Sequence, residues 1–465
     1  MMTGQQNTPY PCGKISRRHM FHQSMGALLG GAVGALWAAD GKLDARLPEA
    51  QKKADAVIFL FMCGGVSHID TFDPKGNKYA GQLIDAIGFG DNQAEMKRPV
   101  IRCLRTFTNY GKSGIPVSDW FPNVGSVIDD IAVVRSLWCQ EGNHFPAVIE
   151  TQTGHRGRAF DNPSFGSWAS YALGTANKNL PAYVNIGRPS SPVQLTGGYL
   201  GATYAATPFQ AGPVPIPNLK PPASTSASER EKQMETLAKL NREFRDRHAL
   251  NTDIAARVES YELAARMQLA APGVVDVAQE PKHVQDLYGI GEKATDDFGK
   301  QLLMARRLVE NGVRFVQICH AGGGNGSWDA HGDMKTHEPL CRAVDKPIAG
   351  LLKDLKQRGM LDRTLVVFTS EFGRSPWSQN TTGRDHNPKG YTSWLAGGGI
   401  KGGVVHGATD EFGYKAVEDP HYYSDLHATI LKQLGLDHRK MQFRALGRLF
   451  HLVEDGHGPI DAIIA

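Results

Sequence analysis

The sequence predicts an α/β protein with a mainly parallel, doubly wound sheet. Stretches of strand length are rich in apolar residues, as is typical of strands that helices cover on both faces: AVIFLFM from Ala56, IAVVRSL from Ile131 and TLVVFTS from Thr364. Helical stretches alternate with them, since DFGKQLLMARRLVENG precedes the strand RFVQICH from Arg314. This alternation of helix, apolar strand and polar loop indicates βαβ units.

The first forty residues differ from the rest and predict an export signal over residues 1–40. Arg17 and Arg18 stand in SRRHMF, which is typical of a twin-arginine signal, and the apolar run MGALLGGAVGALWAA follows. Because this run is shorter than the roughly 20 residues that span a bilayer, no stable transmembrane anchor is expected. We therefore expect a periplasmic or cell-surface protein; the alternative is a chance arginine pair in an ordinary leader or a cytoplasmic arm.

The rest of the chain predicts one large domain, over residues 54–455, with an insertion at about 205–290. A third strand, YVNIG from Tyr183, precedes the proline-rich segment PFQAGPVPIPNLKPP, which is not expected to form regular structure. A charged helical region follows, in which Ser228 and Glu231 have the spacing of a capping box. Its apolar face predicts an arm that packs on the core or roofs the site, or a contact between copies; this face comprises Met234, Leu237, Leu240 and Phe244.

Composition excludes two kinds of partner. The net charge of +4 is spread along the chain without a cluster of basic residues, so nucleic acid is not expected to bind. The six cysteines show no CxxC spacing, so a zinc–cysteine site is not expected, and Cys63 and Cys319 are predicted to be small buried groups at strand ends.

Candidate metal ligands follow the strand that ends at His320. Four of them lie within the loop AGGGNGSWDAHGDMKTH, namely Asp329, His331, Asp333 and His337. Carboxylate oxygen beside imidazole nitrogen suits zinc, manganese or iron. Alternatively, this loop is a solvated segment with one or two helix caps.

More polar residues follow the next strand. TSEFGR places Glu371 and Arg374 at its end, and TTGRDHNPKG then adds Asp385, His386 and Lys389. Ligands of such sheets bind beyond the carboxyl ends of the strands, so these groups are expected near the previous loop. Arg374 and Lys389 are suited to neutralise an anionic substrate, although a surface Glu–Arg pair is a simpler explanation of TSEFGR alone.

Two earlier loops are expected to reach the same edge. CGGVSHIDTFDP after the first strand brings His68 and Asp70, either as ligands or as a local hydrogen-bonded turn. NHFPAVIETQTG places His144 near a helix N-terminus, which favours anions, or makes it a capping neighbour. GGVSHI lacks the second glycine of a serine nucleophile elbow, and GGGNG lacks the Lys-Ser/Thr ending of a P-loop.

At these residues the chain resembles, over nearly all its predicted mature length, the exported family called domain of unknown function 1501. The resemblance is carried by GGVSHIDTFDP, NHFPAVIETQTG, GSWDAHGD, TSEFGR, GRDHNP and DLHATILKQLGL. That family in turn looks like a branch of the alkaline phosphatase and sulfatase superfamily, which cleaves phosphate or sulfate esters with one or two metals. The resemblance implies an alkaline phosphatase-like fold and such an activity.

The residues of the superfamily are matched in part. HFPAVIETQTG is similar to the sulfatase pattern CxPSRxxLLTG and puts His144 at the nucleophile position, without the cysteine that becomes formylglycine. TSEFGR looks like Thr-Ser-Asp-His-Gly, so Glu371 keeps a carboxylate and Phe372 loses an imidazole. His386 stands where the superfamily brings its last metal histidine. Cys63-Gly64 replaces the usual paired acids, so the resemblance implies a full two-metal site only if His68 or Asp70 compensates.

These observations lead to two hypotheses. The first is an exported, metal-dependent hydrolase of phosphate or sulfate esters, small or polymeric, with zinc or alternatively manganese, calcium or iron. The expected ligands, in preference to the alternative pair Asp333 and His337, are Asp329, His331, Glu371 and His386, with His68 or Asp70 in addition. His144, Arg374 and Lys389 are the expected catalytic residues. The second hypothesis is a catalytically degenerate protein that binds metal or an anionic glycan in a surface assembly.

Overall fold

The computed structural model describes residues 45–87, 95–157, 161–212, 214–216, 226–247, 252–378, 382–445 and 447–465. The predicted export signal at residues 1–40 lies outside these ranges. Within them, no helix is both long enough and apolar enough to cross a membrane.

The strands and helices are numbered here in chain order. The strands are β1 (Ala56–Met62), β2 (Leu83–Ile87), β3 (Glu95–Pro99), β4 (Phe107–Tyr110), β5 (Ile115–Ser118), β6 (Ile131–Trp138), β7 (Tyr183–Ile186), β8 (Thr207–Phe209), β9 (Phe315–His320), β10 (Thr364–Thr369), β11 (Gly373–Arg374), β12 (His386–Asn387), β13 (Tyr391–Ala396), β14 (Val404–His406), β15 (Ala408–Thr409), β16 (Ala416–Glu418), β17 (His421–Tyr422), β18 (Gln442–Ala445) and β19 (Arg448–His451). The helices are α1 (Pro122–Gly125), α2 (His144–Thr153), α3 (Phe165–Leu173), α4 (Ala227–Arg247), α5 (Thr252–Val275), α6 (Lys282–Leu287), α7 (Asp296–Glu310), α8 (His337–Gln357) and α9 (Tyr423–Gln433).

The main sheet confirms the predicted mainly parallel α/β architecture. Its strand order is β14-β6-β13-β10-β1-β9-β7-β8, and β17 also pairs with β6. Strand β1 lies in the middle between β9 and β10, and both neighbours run parallel to it. Strand β13 pairs antiparallel with both β10 and β6 and is the exception in this sheet. The carboxyl ends of β1, β6, β9 and β10 therefore meet at one edge.

Helices cover both faces of the sheet. Along β1, Ile58 and Leu60 face a core that includes Leu302 of α7 and Leu351 of α8. The alternate residues of β1, including Phe59, face a second core formed with α2, α3 and α9. This alternation explains why the strand is apolar throughout: each face contributes side chains to a separate dry core.

Two local predictions in the insertion were wrong. The segment after Ala205 contains the short strand β8, which pairs with β7 at the end of the sheet. Pro208 is compatible with strand structure there because an edge strand does not need every N–H for pairing. The capping box lies two residues earlier than predicted, since Ser226 and Glu229 exchange hydrogen bonds at the start of α4.

Candidate metal centre

Loops after three strands bring polar side chains together at the carboxyl edge of the sheet. The loop after β9 carries Asp329 and His331, and the loop after β6 leads into α2, whose first residue is His144. His386 arrives on β12, which pairs with β11 directly after β10. Residues distant in sequence thus converge because β6, β9 and β10 run in the same direction, so that the loops after these strands lie at one edge of the sheet.

The carboxylate of Asp329 lies at the centre of three imidazoles. Its Oδ1 is 3.2 Å from Nε2 of His331 and 3.3 Å from Nε2 of His386, while its Oδ2 is 3.2 Å from Nε2 of His144. The Nε2 atoms of His331 and His386 are only 2.8 Å apart. His144, Asp329 and His386 offer donor atoms that all lie within 4.8 Å of one another.

Each imidazole is held from behind through its Nδ1 atom. His144 Nδ1 lies 2.8 Å from Glu371, His331 Nδ1 lies 3.1 Å from Asp385, and His386 Nδ1 lies 2.6 Å from the carbonyl of Gly142. Because these partners accept hydrogen bonds, each Nδ1 atom carries a proton and the Nε2 atoms face the centre. Histidine ligands of metals are usually oriented in this way.

Glu371 is itself rigidly positioned. It is fully buried, and it accepts hydrogen bonds from the Gly64 amide at 2.8 Å and from the Ser370 hydroxyl at 2.9 Å. The structure therefore places Glu371 behind His144, so that its carboxylate orients the imidazole.

The charges in the cluster are strongly coupled. Burial opposes ionisation of Asp329, but the three neighbouring imidazoles outweigh it and hold the pKa of Asp329 well below its usual range. Hydrogen bonds with Asp329 and Asp385 raise the pKa of His331 to about 9. Burial lowers the pKa of His386 to about 4, so this imidazole is neutral and able to donate its lone pair.

Arg374 holds the loops together. Its guanidinium is fully buried and donates to the carbonyls of Gly64, Gly65 and Arg384, and to Asp329 at 2.8 Å. The side chain expected to neutralise a substrate thus contacts backbone oxygens and a candidate ligand. Lys389, the other expected cation, is exposed near the same edge.

Phe372 occupies the position where the resemblance would place a second imidazole. Its ring centroid is 4.9 Å from that of His144 and 4.5 Å from that of His386. An apolar wall therefore borders the cluster on this side. Among the described residues, one group of possible ligands is found here, which favours a single ion.

Other predicted residues lie outside the cluster. Asp70 is fully buried and pairs with Arg384 at 2.7 Å, and His68 Nε2 contacts the carbonyl of Gly413 at 2.8 Å. Of the alternative pair, Asp333 caps a helical turn and His337 is hydrogen-bonded to the Ser67 amide. Each of these four side chains therefore makes a hydrogen bond or an ion pair with a residue outside the cluster.

The residues present fit a divalent cation. Nε2 of His144 is buried without a hydrogen-bond partner, although it points at a carboxylate. Donor atoms around one zinc ion at about 2.0–2.1 Å are separated by about 3.3 Å, close to the distances found here. Three imidazoles and one carboxylate suit zinc or another borderline metal.

The sequence did not predict the roles of two supporting groups. Gly142 contributes its backbone carbonyl. Every residue has such a group, so the residue type does not indicate this role. Asp385 is adjacent to His386 in GRDHNP, yet its partner is His331 in another loop. Backbone contacts between the two loops, including the Arg384 amide donating to the Ala330 carbonyl at 3.0 Å, bring these side chains together.

Comparisons with known proteins give the family of the chain and distant structural matches. The family model described as "Protein of unknown function (DUF1501)" matches residues 54–464. No curated protein matches. Among solved structures, the PsFucS1 sulfatase from Pseudoalteromonas sp. is 13% identical with a TM-score of 0.36, and the match covers 83% of this chain and 69% of the sulfatase chain. The phosphonate monoester hydrolase from Silicibacter pomeroyi is 12% identical with a TM-score of 0.32, and the match covers 68% of this chain and 69% of the hydrolase chain. The alkaline phosphatase from the Antarctic bacterium TAB5 is 11% identical with a TM-score of 0.34, covering 83% and 99%.

Proposed function

The chain belongs to the family described as "Protein of unknown function (DUF1501)", and we propose its function from the chemistry of its own site. We propose that it is a metal-dependent hydrolase of phosphate or sulfate esters. The observation that carries the proposal is the convergence of three imidazole Nε2 atoms on one carboxylate. The proposed ligands are His144, Asp329, His331 and His386.

The contacts of the residues indicate the role proposed for each. A divalent cation bound here supplies Lewis-acid polarisation of an ester oxygen. Glu371, Asp385 and the Gly142 carbonyl fix the imidazoles, so that little reorganisation is needed when the ion binds. Arg374 donates to Asp329 and anchors its loop to the loop after β1.

The surroundings favour an anionic substrate. The cluster lies at the N-terminus of α2, where the helix dipole attracts negative charge, and Asn143 makes no side-chain cap there. His331 is the most accessible of the four ligands, with 36% of its side chain exposed, so the ester is proposed to approach from this side. Lys389, exposed near the same edge, is proposed to attract the anion as a point charge.

Export and substrate class form the finer part of the proposal. The twin-arginine pattern predicts a periplasmic or cell-surface location, where sulfated or phosphorylated polymers and their fragments are accessible substrates. The partial match of NHFPAVIETQTG and TSEFGR to sulfatase and phosphatase motifs supports ester hydrolysis over other metal-dependent chemistry.

The test combines metal content with turnover. The purified chain is stripped of metal, reloaded separately with zinc, manganese and calcium, and assayed on nitrophenyl phosphate, nitrophenyl sulfate and a broader ester panel. We expect turnover with at least one metal, and we expect His386→Ala to reduce it to the level of the metal-free protein. His283→Ala, an exposed histidine on α6, is the matched control and should keep full activity.

Two results would contradict the proposal in different ways. If metal binds but no ester is turned over in a His386-dependent manner, the proposal of a hydrolase is wrong. The second hypothesis, a catalytically degenerate protein that binds metal or an anionic glycan, is then favoured. If His386→Ala and Asp329→Ala bind as much metal as the wild type, the metal centre itself is wrong.

A further inference from the structure

A pocket lies along one side of α2, outside the group of metal ligands. Phe145, Ile149 and Thr153 recur at every fourth residue of this helix, so they form one stripe along the pocket. The wall formed by the segment after β7 includes Pro192 and Val193 of a short 3₁₀ turn. The pocket has a volume of about 420 Å³, within the range of about 300–1,000 Å³ that is typical of small-molecule sites.

The pocket begins beside the candidate metal centre. Phe145 directly follows the proposed ligand His144 at the start of α2, and 39% of its surface is exposed. Successive residues of a helix point about 100° apart, so His144 faces the metal ligands while Phe145 lines the pocket. A group bound against Phe145 is therefore the part of a substrate that lies next to its ester.

Two adjacent polar side chains, Asp161 and Asn162, also line the pocket. Asp161 is exposed, whereas Asn162 is only 8% exposed, and none of the residues that the structure describes hydrogen-bonds the Asn162 side-chain amide. A buried amide is costly unless it is paired, so this group is suited to bind a ligand. The segment is held in place, since the Tyr199 amide donates to the Asp161 carbonyl at 3.0 Å.

The lining favours a neutral ligand that is rich in hydroxyl groups. Among the lining residues that the structure describes, there is one carboxylate, that of Asp161, and there is no lysine or arginine. A carboxylate accepts hydrogen bonds from hydroxyl groups, and an amide both donates and accepts them. The aromatic ring of Phe145 and the apolar residues beside it suit the C–H face of a sugar ring, which is apolar.

We propose that this pocket binds the sugar ring that carries the ester, so that the substrate is a phosphate or sulfate ester of an otherwise uncharged pyranose. Phe145 packs against the apolar face of the ring, and Asp161 and Asn162 bind its hydroxyl groups. This inference rests on the proposed function, because it names the alcohol of the ester that the metal centre is proposed to cleave.

The test measures sugar binding apart from turnover. Methyl glycosides of glucose, galactose, mannose, fucose and xylose are titrated into the full chain, and binding is followed by saturation-transfer NMR. We expect at least one glycoside to bind. Phe145→Ala and Asn162→Ala should each weaken that binding about fivefold, through loss of a ring contact or a hydrogen bond, whereas Phe145→Trp should retain it. Asp161→Ala repeats the test at an exposed position, where folding is not at risk.

The matched control is Tyr261→Ala, which removes an aromatic ring from α5 that is 60% exposed and lies outside the pocket. It should leave glycoside binding unchanged. Binding of no glycoside to the wild type, or binding that the alanine variants at Phe145, Asp161 and Asn162 leave unchanged, would overturn the proposal. Phe145-dependent binding of nitrophenol in place of every glycoside would also overturn it, in favour of an aryl ester.

Turnover separates this inference from the proposed function. With phosphate and sulfate esters of the sugar that binds, Phe145→Ala should raise KM about fivefold and leave the metal content unchanged. Phe145-dependent glycoside binding without turnover of any ester would refute the hydrolase while the pocket remained a sugar site. Turnover of esters by a chain that binds no glycoside would refute the pocket alone.

Discussion

At the scale of single residues, Glu371 tests whether the candidate centre is preorganised. Glutamine has one acceptor oxygen where Glu371 accepts from Gly64, Ser370 and His144, so Glu371→Gln must lose part of this support. We expect the affinity for zinc to fall by about 10–100-fold while the fold is retained. Competition with a chromogenic chelator measures the affinity, and circular dichroism checks the fold.

A matched variant separates loss of a buried carboxylate from loss of imidazole orientation. Glu150 is also buried and accepts hydrogen bonds from the amides of Gln140 and Glu141 and from the Tyr422 hydroxyl. Glu150→Gln should reduce stability but leave the zinc affinity close to that of the wild type. A similar loss of affinity in both variants would count against a specific role for Glu371.

Asp70 contributes stability. Its carboxylate pairs with the buried guanidinium of Arg384 and accepts from the Ser67 hydroxyl. Removing one partner leaves a buried charge without compensation, so Asp70→Asn should lower the free energy of unfolding by about 3–5 kcal/mol. Asp119→Asn is the control, because Asp119 pairs with Arg105 at the surface and its loss should cost about 0–1 kcal/mol. Denaturant titration measures both, and equal costs would refute the assignment.

The Asp70 pair also gives a pH dependence with a definite sign. Burial raises the pKa of Asp70, but Arg384 outweighs it and the pKa is lowered from 3.8 to about 2. A depressed pKa means that the stabilisation is complete above about pH 4 and is lost as the pH falls toward 2. The stability difference between wild type and Asp70→Asn should therefore shrink from pH 5 to pH 2. A constant difference over that range would show that the carboxylate charge is not responsible.

At the scale of elements, the close approach of two loops depends on Gly64. Its φ is 117°, and a Cβ there would lie 2.6 Å from the backbone nitrogen of Asp329 and 2.9 Å from the carbonyl oxygen of Gly326. Gly64→Ala must push the loop after β9 away from the loop after β1. We expect a loss of zinc affinity together with a stability cost above the about 1–2 kcal/mol that an L-residue pays for a left-handed conformation.

The control for Gly64 lies in the β4–β5 hairpin. Gly114 has a φ of 67°, and a Cβ there would have nothing within 4 Å. Gly114→Ala therefore carries the conformational cost alone and should leave zinc binding unchanged. If Gly64→Ala behaved like Gly114→Ala in both measurements, the packing of the two loops would not be needed for the site.

The elements that the sequence predicts best are those buried on both faces. The strands from Ala56, Ile131 and Thr364 begin at the predicted residues, because each contains a run of apolar residues that is long enough to indicate a buried strand. Strand β13, YTSWLA, was not predicted: it contains Thr392 and Ser393 and is buried through its pairing with β6 and β10. Such burial depends on strand order, which local composition does not encode.

At the scale of the whole molecule, the sequence predicts which loops carry the site better than it predicts what each residue contacts. Asp329, His331 and His386 were expected as ligands and do lie together, since loops after parallel strands share an edge. The positions of Asp70 beside Arg384, and of Glu371 behind His144, depend on how the loops fold over one another. The helical arm shows the same limit: Leu240 of α4 is 56% exposed, although its spacing indicates an apolar face.

The division of the molecule into two cores gives the last prediction. Leu302 and Leu431 are fully buried on opposite faces of the sheet, in separate clusters. Leu302→Ala and Leu431→Ala should each lower the free energy of unfolding by about 2–5 kcal/mol, because each leaves a cavity that its neighbours fill only in part. Since the sheet separates the two sites, the double variant should show the sum of the two costs within about 0.5 kcal/mol. Leu240→Ala, on the exposed face of α4, should cost less than about 0.5 kcal/mol. A coupling between Leu302 and Leu431 above about 1 kcal/mol would mean that the sheet transmits strain between its faces and does not insulate one core from the other.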